Sequence, residues 1–394
     1  MTKDQLSPPR KHFLCVGDPA PWFTCELGNN NNFRFDTIAG RYVMIGFLGS
    51  KGDSDSQKVI SFIKSHRGRF DDKSLTFFGV LTNEKDLKGS RKAKANPGIY
   101  YIQDSNLDIS RIYGAVKPDG DFRKVIYILD PALRIMTVIP LSSPAFNERS
   151  LNVAIRNIPA TEPGTLARQQ APVLVLPRVF EPKLCKELID YYNKSGGNDS
   201  GFMKDIDGKT VGVIDHSFKS RRDCRIKDES LQKACMMRIH KRLIPEVKKV
   251  FQFPASQVER YIIACYDAED GGFFSAHRDN TTKATSHRRF AVSLFLNSDY
   301  EGGYLKFPEY GQNLYSAPRG GAVIFSCSLL HEATKVTKGR RYMFLPFIHD
   351  DAGQEIRKNT AQFLDSKIIK KDSGSDLKKQ TGSDKKNNTE EELN

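Results

Sequence analysis

Three side chains in the second half of the chain have the types and spacing to share one metal ion. His277 and Asp279 flank Arg278 in Phe273-Phe274-Ser275-Ala276-His277-Arg278-Asp279. At the end of a β-strand, residues i and i+2 share a face, so both donors can meet one ion while Arg278 points away. His331, in Ser328-Leu329-Leu330-His331, follows the apolar run 322–327 and brings a second imidazole. Two imidazoles and one carboxylate on one face of an ion form the donor set that holds iron(II) with adjacent positions open. A chelating 2-oxo acid such as 2-oxoglutarate, together with dioxygen, needs those open positions. An arginine near the distal histidine would complete the arrangement, and Val336-Thr337-Lys338-Gly339-Arg340-Arg341-Tyr342 supplies two. A guanidinium there can seat the far carboxylate of the 2-oxo acid through a two-point, charge-assisted pair. Strand alternation, with apolar residues continuing through 342–345, selects Arg341 over Arg340. A His-x-Asp pair arises by chance in many chains, and His331 by itself reads equally as a core histidine. The weight lies on the ordered set.

These residues need a rigid scaffold, and residues 258–347 supply the pattern for one. Short apolar runs there alternate with Gly, Pro and Asn turns, as in a β-sandwich or jelly roll. Upstream, 182–194 and 228–251 have helical periodicity, with Asp228 suited to N-cap the second. Residues 12–158 differ in character. Runs 43–48, 75–81 and 125–129 read as buried strands, and 54–69, with apolar residues at 59, 60, 62 and 63, reads as a helix. Strand, helix and strand at this spacing indicate an α/β unit with a parallel pair. Pro159, Pro163, Gly164 and Pro172 mark 159–172 as a linker. The polar residues 1–11 are expected to fray. The expected organisation is an α/β domain over 12–158, the linker, a β domain with flanking helices over 173–350, and a disordered tail over 366–394 that lacks aromatics.

Composition removes several alternatives. A chain of 394 residues exceeds one ordinary core, so two domains are expected. No apolar run is long enough to cross a bilayer, and the polar start lacks a signal-peptide pattern, which gives a cytoplasmic expectation without a membrane partner. The seven cysteines never form C-x-x-C, which argues against a disulfide framework or a zinc ribbon. Cys265 and Cys327 read as small apolar fillers. The net charge of +14 comes without a nucleic-acid reader motif, so a solvated basic surface is favoured over a nucleic-acid partner. His287, in the Thr/Ser/Arg-rich loop 281–289, reads as solvated, and that loop as a flap over the substrate.

Four segments together resemble the prolyl 4-hydroxylase-like branch of the 2-oxoglutarate/iron(II) dioxygenases. They are Ala264-Cys265-Tyr266 through Gly271-Gly272; His277-Arg278-Asp279-Asn280; Tyr300-Glu301-Gly302-Gly303-Tyr304-Leu305-Lys306-Phe307-Pro308; and Leu330-His331 through Gly339-Arg340-Arg341-Tyr342. The resemblance covers roughly 172–350 and implies a double-stranded β-helix, or jelly roll, with flanking helices. It also implies Fe(2+) on His277, Asp279 and His331, the C5 carboxylate of 2-oxoglutarate on Arg341, and a contact from Tyr266 to the cosubstrate. L-ascorbate as a reductant, hydroxylation of an amino-acid or peptidyl (prolyl-type) substrate, and release of succinate and CO2 follow from the same likeness. Core packing is the alternative role for Tyr266. Fold likeness leaves the choice between a peptide and a small-molecule substrate open.

Residues 15–130 resemble a peroxiredoxin, hence a thioredoxin-like fold. Val16-Gly17-Asp18-Pro19-Ala20-Pro21-Trp22-Phe23, the run 38–48 and Val125–Asp130 carry that resemblance. The departure is chemical. Ser56 stands where the family places its peroxide-attacking cysteine, and Gly49 and Asp53 stand for the proline and threonine ahead of it. A hydroxyl cannot supply the thiolate. The domain therefore reads as a degenerate redoxin whose remaining roles are docking a protein partner or a substrate, or dimerising. A non-catalytic binding or sensor protein, with both domains used as interaction modules, is the competing expectation.

Overall fold

The computed structural model describes residues 13–87, 97–160 and 169–370. The residues expected to fray at the start, most of the linker, and the tail beyond 370 lie outside these. The chain forms two units, dividing at Thr165 and Leu166.

In the first unit, Tyr42–Gly49, Leu75–Leu81 and Ile99–Gln103 run parallel, and Val125–Leu129 and Ile135–Pro140 extend the sheet antiparallel. Both faces are covered, which is why the central strands are almost continuously apolar. Helices Ser54–Ser65 and Glu148–Arg156 bury Val59, Ile63, Leu151 and Ile155 on one face. Phe23, Phe35, Ile109 and Tyr113 cover the other. Ser56 is fully buried in the first turns of its helix, and its hydroxyl donates to the Leu48 carbonyl at 2.7 Å.

The second unit holds two principal antiparallel sheets. The smaller runs Lys219–Ser220, Phe273–His277, His331–Ala333, Leu305–Lys306 and Leu314–Tyr315. The larger has Ile262–Asp267, Arg340–Phe344 and Phe290–Phe295 at its centre. Alternating residues of the two sheets pack together, with Phe274, Leu305 and Ala333 from one meeting Ala264, Tyr266, Phe295 and Met343 from the other. On its outer face the larger sheet packs Ile263, Val292, Leu294 and Phe344 against Leu184, Leu188, Ile239 and Val247 of the helices.

Three boundaries differ from the sequence expectation. The periodicity over 228–251 predicts one helix; the chain makes Glu229–Arg238 and Ile244–Phe251, joined by a π-helical turn, Ile239–Leu243. Pro245, which has no N–H to donate, interrupts the α-helical ladder at that point. Asp228 caps the first piece by accepting from the Leu231 N–H at 2.9 Å. The unit also runs past 350, because Asp350 caps a helix over Asp351–Thr360. Residues 366–370, expected in the disordered tail, belong to the strand Leu364–Lys370, which adds parallel to Lys209–Ile214. Backbone pairing holds this segment, whose apolar content alone would not signal a strand. Among the described residues no helix is long and apolar enough to cross a membrane.

Leu188 is fully buried between its helix and the outer face of the larger sheet. Leu188→Ala is expected to destabilise the second unit by about 2–5 kcal/mol, the usual cost of such a cavity, in urea denaturation followed by circular dichroism.

Candidate metal centre

Neighbouring antiparallel strands set the two histidines face to face. His277 lies opposite His331 in register, with ring centroids 4.3 Å apart. Asp279 follows the end of the first strand, its backbone N–H held by the Cys327 carbonyl at 3.0 Å. Its carboxylate meets both rings, with Oδ1 at 3.5 Å from His277 Nε2 and Oδ2 at 3.4 Å from His331 Nε2. Both imidazoles spend the other nitrogen alike: His277 Nδ1 donates to the Ser275 carbonyl at 2.7 Å and His331 Nδ1 to the Leu329 carbonyl at 3.0 Å. A carbonyl only accepts, so Nδ1 carries the proton and each Nε2 presents a lone pair. Two lone pairs and a carboxylate thus converge, with the three donor atoms within 4.8 Å of one another.

The electrostatics agree with that arrangement. Burial pushes His331 down to about 4, so the ring is neutral near pH 7 and free to act as a ligand. At low pH, where the His331 ring is charged, that charge holds the Asp279 carboxyl well below its ordinary range against the penalty of burial. Phe274 stacks on the His277 ring at 3.6 Å, and Phe325 lies 4.5 Å from that of His331, which fixes both orientations. Arg278 turns away to pair with Glu309 at 2.8 Å.

The larger sheet supplies the opposite wall. Tyr266 stands directly across from Arg341 in the register of Ile262–Asp267 and Arg340–Phe344. The Arg341 guanidinium lies over the rings of Tyr266 and Phe295, at 4.9 and 5.2 Å. The residue is 1% exposed, yet its Nε and Nη2 have no hydrogen-bond partner among the described residues. Arg340 points to the other face and pairs with Asp267 at 2.6 Å. Gly303, at φ 63°, makes room for the arginine, since a Cβ there would come within 2.7 Å of Arg341 Cδ. All five residues singled out in the sequence line one cavity of about 380 Å³.

Sequence reasoning missed four more residues on the same walls, Lys219, Arg221, Arg260 and Arg288. None carries a spacing signal of its own: Arg221 and Arg288 stand in Arg-Arg pairs, and Arg288 lies in the loop 281–289 read only as a flap. His287 corrects an expectation outright. It is buried, with Nε2 at 2.6 Å from the Glu259 carboxylate, which Arg288 also meets at 2.8 Å. The loop reads as solvated because its partner acid lies 28 residues away in sequence. Thr281, Thr282, Thr285 and Arg288 of the loop form part of the cavity wall. Glu259, His287 and His349 also have donor atoms within 4.8 Å of one another. Here Arg288 already occupies the carboxylate, so the trio is an ion-paired strut for the loop.

Three donors that could hold one metal ion, on paired antiparallel sheets, are what this fold and geometry bring together. Residues 257–349, within the second unit, match the model of the 2OG-Fe(II) oxygenase superfamily. A PKHD-type hydroxylase of Synechococcus is 30% identical over 98 residues, 23% of this chain and 43% of the relative. One of a Shewanella strain is 28% identical over 159 residues, covering 38% of this chain and 70% of the relative. The chain therefore spans less than half the length of the first. A solved Trichoplax adhaerens prolyl hydroxylase, in complex with a hypoxia inducible factor peptide fragment, aligns over 48% of this chain and 87% of its own, with 15% identity and a TM-score of 0.36.

Against the penalty of burial, Arg288 and His287 hold Glu259 well below the usual carboxylate range. A depressed folded-state value stabilises above the unfolded one, about 4.3, and that contribution fades as pH falls through the folded value. Glu259→Gln should therefore cost about 3–5 kcal/mol at pH 7, the usual loss when one partner of a buried ion pair is removed. The deficit relative to wild type should shrink in urea titrations carried below pH 4.

Proposed function

We propose that the chain is an iron(II)- and 2-oxoglutarate-dependent dioxygenase that hydroxylates an amino-acid or prolyl-type peptide substrate. The observation that carries this is the pairing, in one cavity, of a converging His-Asp-His set with a buried guanidinium that lacks an anion. The donor set fits ferrous iron, because two neutral nitrogens and one carboxylate on one side leave adjacent positions free. The guanidinium fits the distal carboxylate of the cosubstrate, since an unpaired buried cation is costly until an anion arrives.

When bound, iron(II) and 2-oxoglutarate supply oxidation of a substrate C–H bond to C–OH by dioxygen, coupled to decarboxylation of the oxo acid to succinate and CO2, with L-ascorbate keeping the metal ferrous. The chain's own residues position and shield. His277, Asp279 and His331 would hold the metal, their rings locked by the Ser275 and Leu329 carbonyls. Arg341, steadied over Tyr266 and Phe295, would fix the cosubstrate's far end. Phe274, Phe325 and Phe347 keep the cavity wall apolar and limit water. We read the first unit, on a thioredoxin-like fold, as a degenerate redoxin module that docks a protein partner. The buried Ser56 and the Cys25 thiol, which burial pushes up to about 12, support the degenerate-redoxin part of that reading.

Incubated with iron(II), 2-oxoglutarate, ascorbate and oxygen over a panel of proline-containing peptides, the protein should form succinate and a +16 Da product. His277→Ala should cut succinate more than about 100-fold, and Arg341→Gln should raise KM for 2-oxoglutarate at least tenfold with a smaller change in kcat. Failure of wild type to bind 2-oxoglutarate in the presence of metal would overturn the reading. Peroxide consumption with a thiol reductant should not exceed the buffer rate.

A further inference from the structure

The cavity that holds the His-Asp-His set is rich in basic side chains. Among the described residues six basic side chains line it, Lys219, Arg221, Arg260, Arg278, Arg288 and Arg341, against one carboxylate, Asp279. Three of the six have carboxylate partners: Arg278 has Glu309, Arg288 has Glu259, and Arg221 has Asp223 at 2.6 Å. Among the described residues Lys219, Arg260 and Arg341 have none. Lys219 is buried over the Phe274 ring and donates only to the Ser200 hydroxyl, at 2.7 Å, and the Gly201 carbonyl. Arg260 donates to the Leu345 carbonyl at 3.1 Å and lies over Phe347, on a backbone at φ 70° that a non-glycine residue rarely adopts.

The cosubstrate accounts for only part of this charge. A divalent ion against Asp279 leaves one positive charge and Arg341 adds another, and the two carboxylates of 2-oxoglutarate neutralise both. Lys219 and Arg260 remain. Burial and the neighbouring Arg221 lower both, Lys219 well below the ordinary lysine range, while the pull of Asp223 is shared with its ion-pair partner Arg221, so an arriving anion would favour the charged forms. Cations left without an anion in so enclosed a site are costly, and a ligand anion removes that cost.

We infer that the substrate itself carries a carboxylate, seated by Lys219 and Arg260, so that this oxygenase acts on an acidic amino acid or on a peptide with an acidic side chain beside the reacting carbon. The inference rests on the dioxygenase reading above. Lys219 and Arg260 act as specificity-determining residues, with no part in holding the metal. Lys219 and Arg260 are buried on the walls of a cavity shared with Phe202, Phe218, Phe274 and Phe347, unlike the exposed basic track that a nucleic-acid strand requires.

The test uses the full chain loaded with Mn(II) and 2-oxoglutarate and titrated calorimetrically with four probes. These are free L-glutamate, acetyl-Glu-Pro-Glu-amide, its neutral counterpart acetyl-Gln-Pro-Gln-amide, and a dT oligonucleotide. At least one acidic probe should bind about tenfold or more tightly than the neutral peptide, as a charge-assisted contact gives. Which acidic probe binds separates a free acid from a peptide. Lys219→Met and Arg260→Gln should each erase that preference, Lys219→Arg should retain it, and affinity for 2-oxoglutarate should hold in all three. Equal binding of acidic and neutral probes, tighter binding of the oligonucleotide, or loss of 2-oxoglutarate affinity in Lys219→Met would overturn the inference while leaving the oxygenase reading intact. Wild type that fails to bind 2-oxoglutarate would remove both.

Discussion

Two imidazole lone pairs and a carboxylate aimed at one point repel unless a cation lies among them, and the second unit is organised around holding them there. His277 and His331 cannot swing apart, because each ring is pinned by a carbonyl two residues earlier in its own chain and by an aromatic neighbour. Strand pairing keeps the two backbones in register, and the Cys327 carbonyl ties Asp279 in place. Convergence is therefore built into backbone geometry, with little left to side-chain freedom. That is how a site is preorganised before its ligand arrives.

The anchor on the opposite wall follows the same logic through a different sheet. Arg341 is paired across strands with Tyr266, wedged over two rings, and given its space by a glycine. Its charge is partly satisfied by the ring faces, while its N–H donors stay unused. The result is a cation that is tolerable when empty and favourable when filled.

Much of this was legible in the sequence because the relevant signals are local. The i, i+2 spacing of His277 and Asp279, the placement of Arg341 on the inward side of its strand, and the continuous apolar runs of the first unit each need only a few residues to read. The features that escaped depend on distant partners. His287 and Arg288 lie in a polar loop that looks solvated until Glu259 is brought beneath it by the sheet. Lys219 and Arg260 resemble any other member of a basic composition until strand pairing places the first, and a φ 70° turn between strands the second, on the cavity wall. The strand Leu364–Lys370 exists because the Lys209–Ile214 edge accepts its backbone, a property of the neighbour that its own residues do not encode.

Ser56 carries a consequence for how the first unit could change. Its hydroxyl is sealed from solvent and spent on the Leu48 carbonyl. Exchanging oxygen for sulfur at that position would place a thiol in an apolar enclosure, where ionisation is disfavoured and no peroxide can approach. Installing a redox centre there would take reshaping of the helix start as well as one altered codon, so the obstacle lies in the packing as much as in the atom.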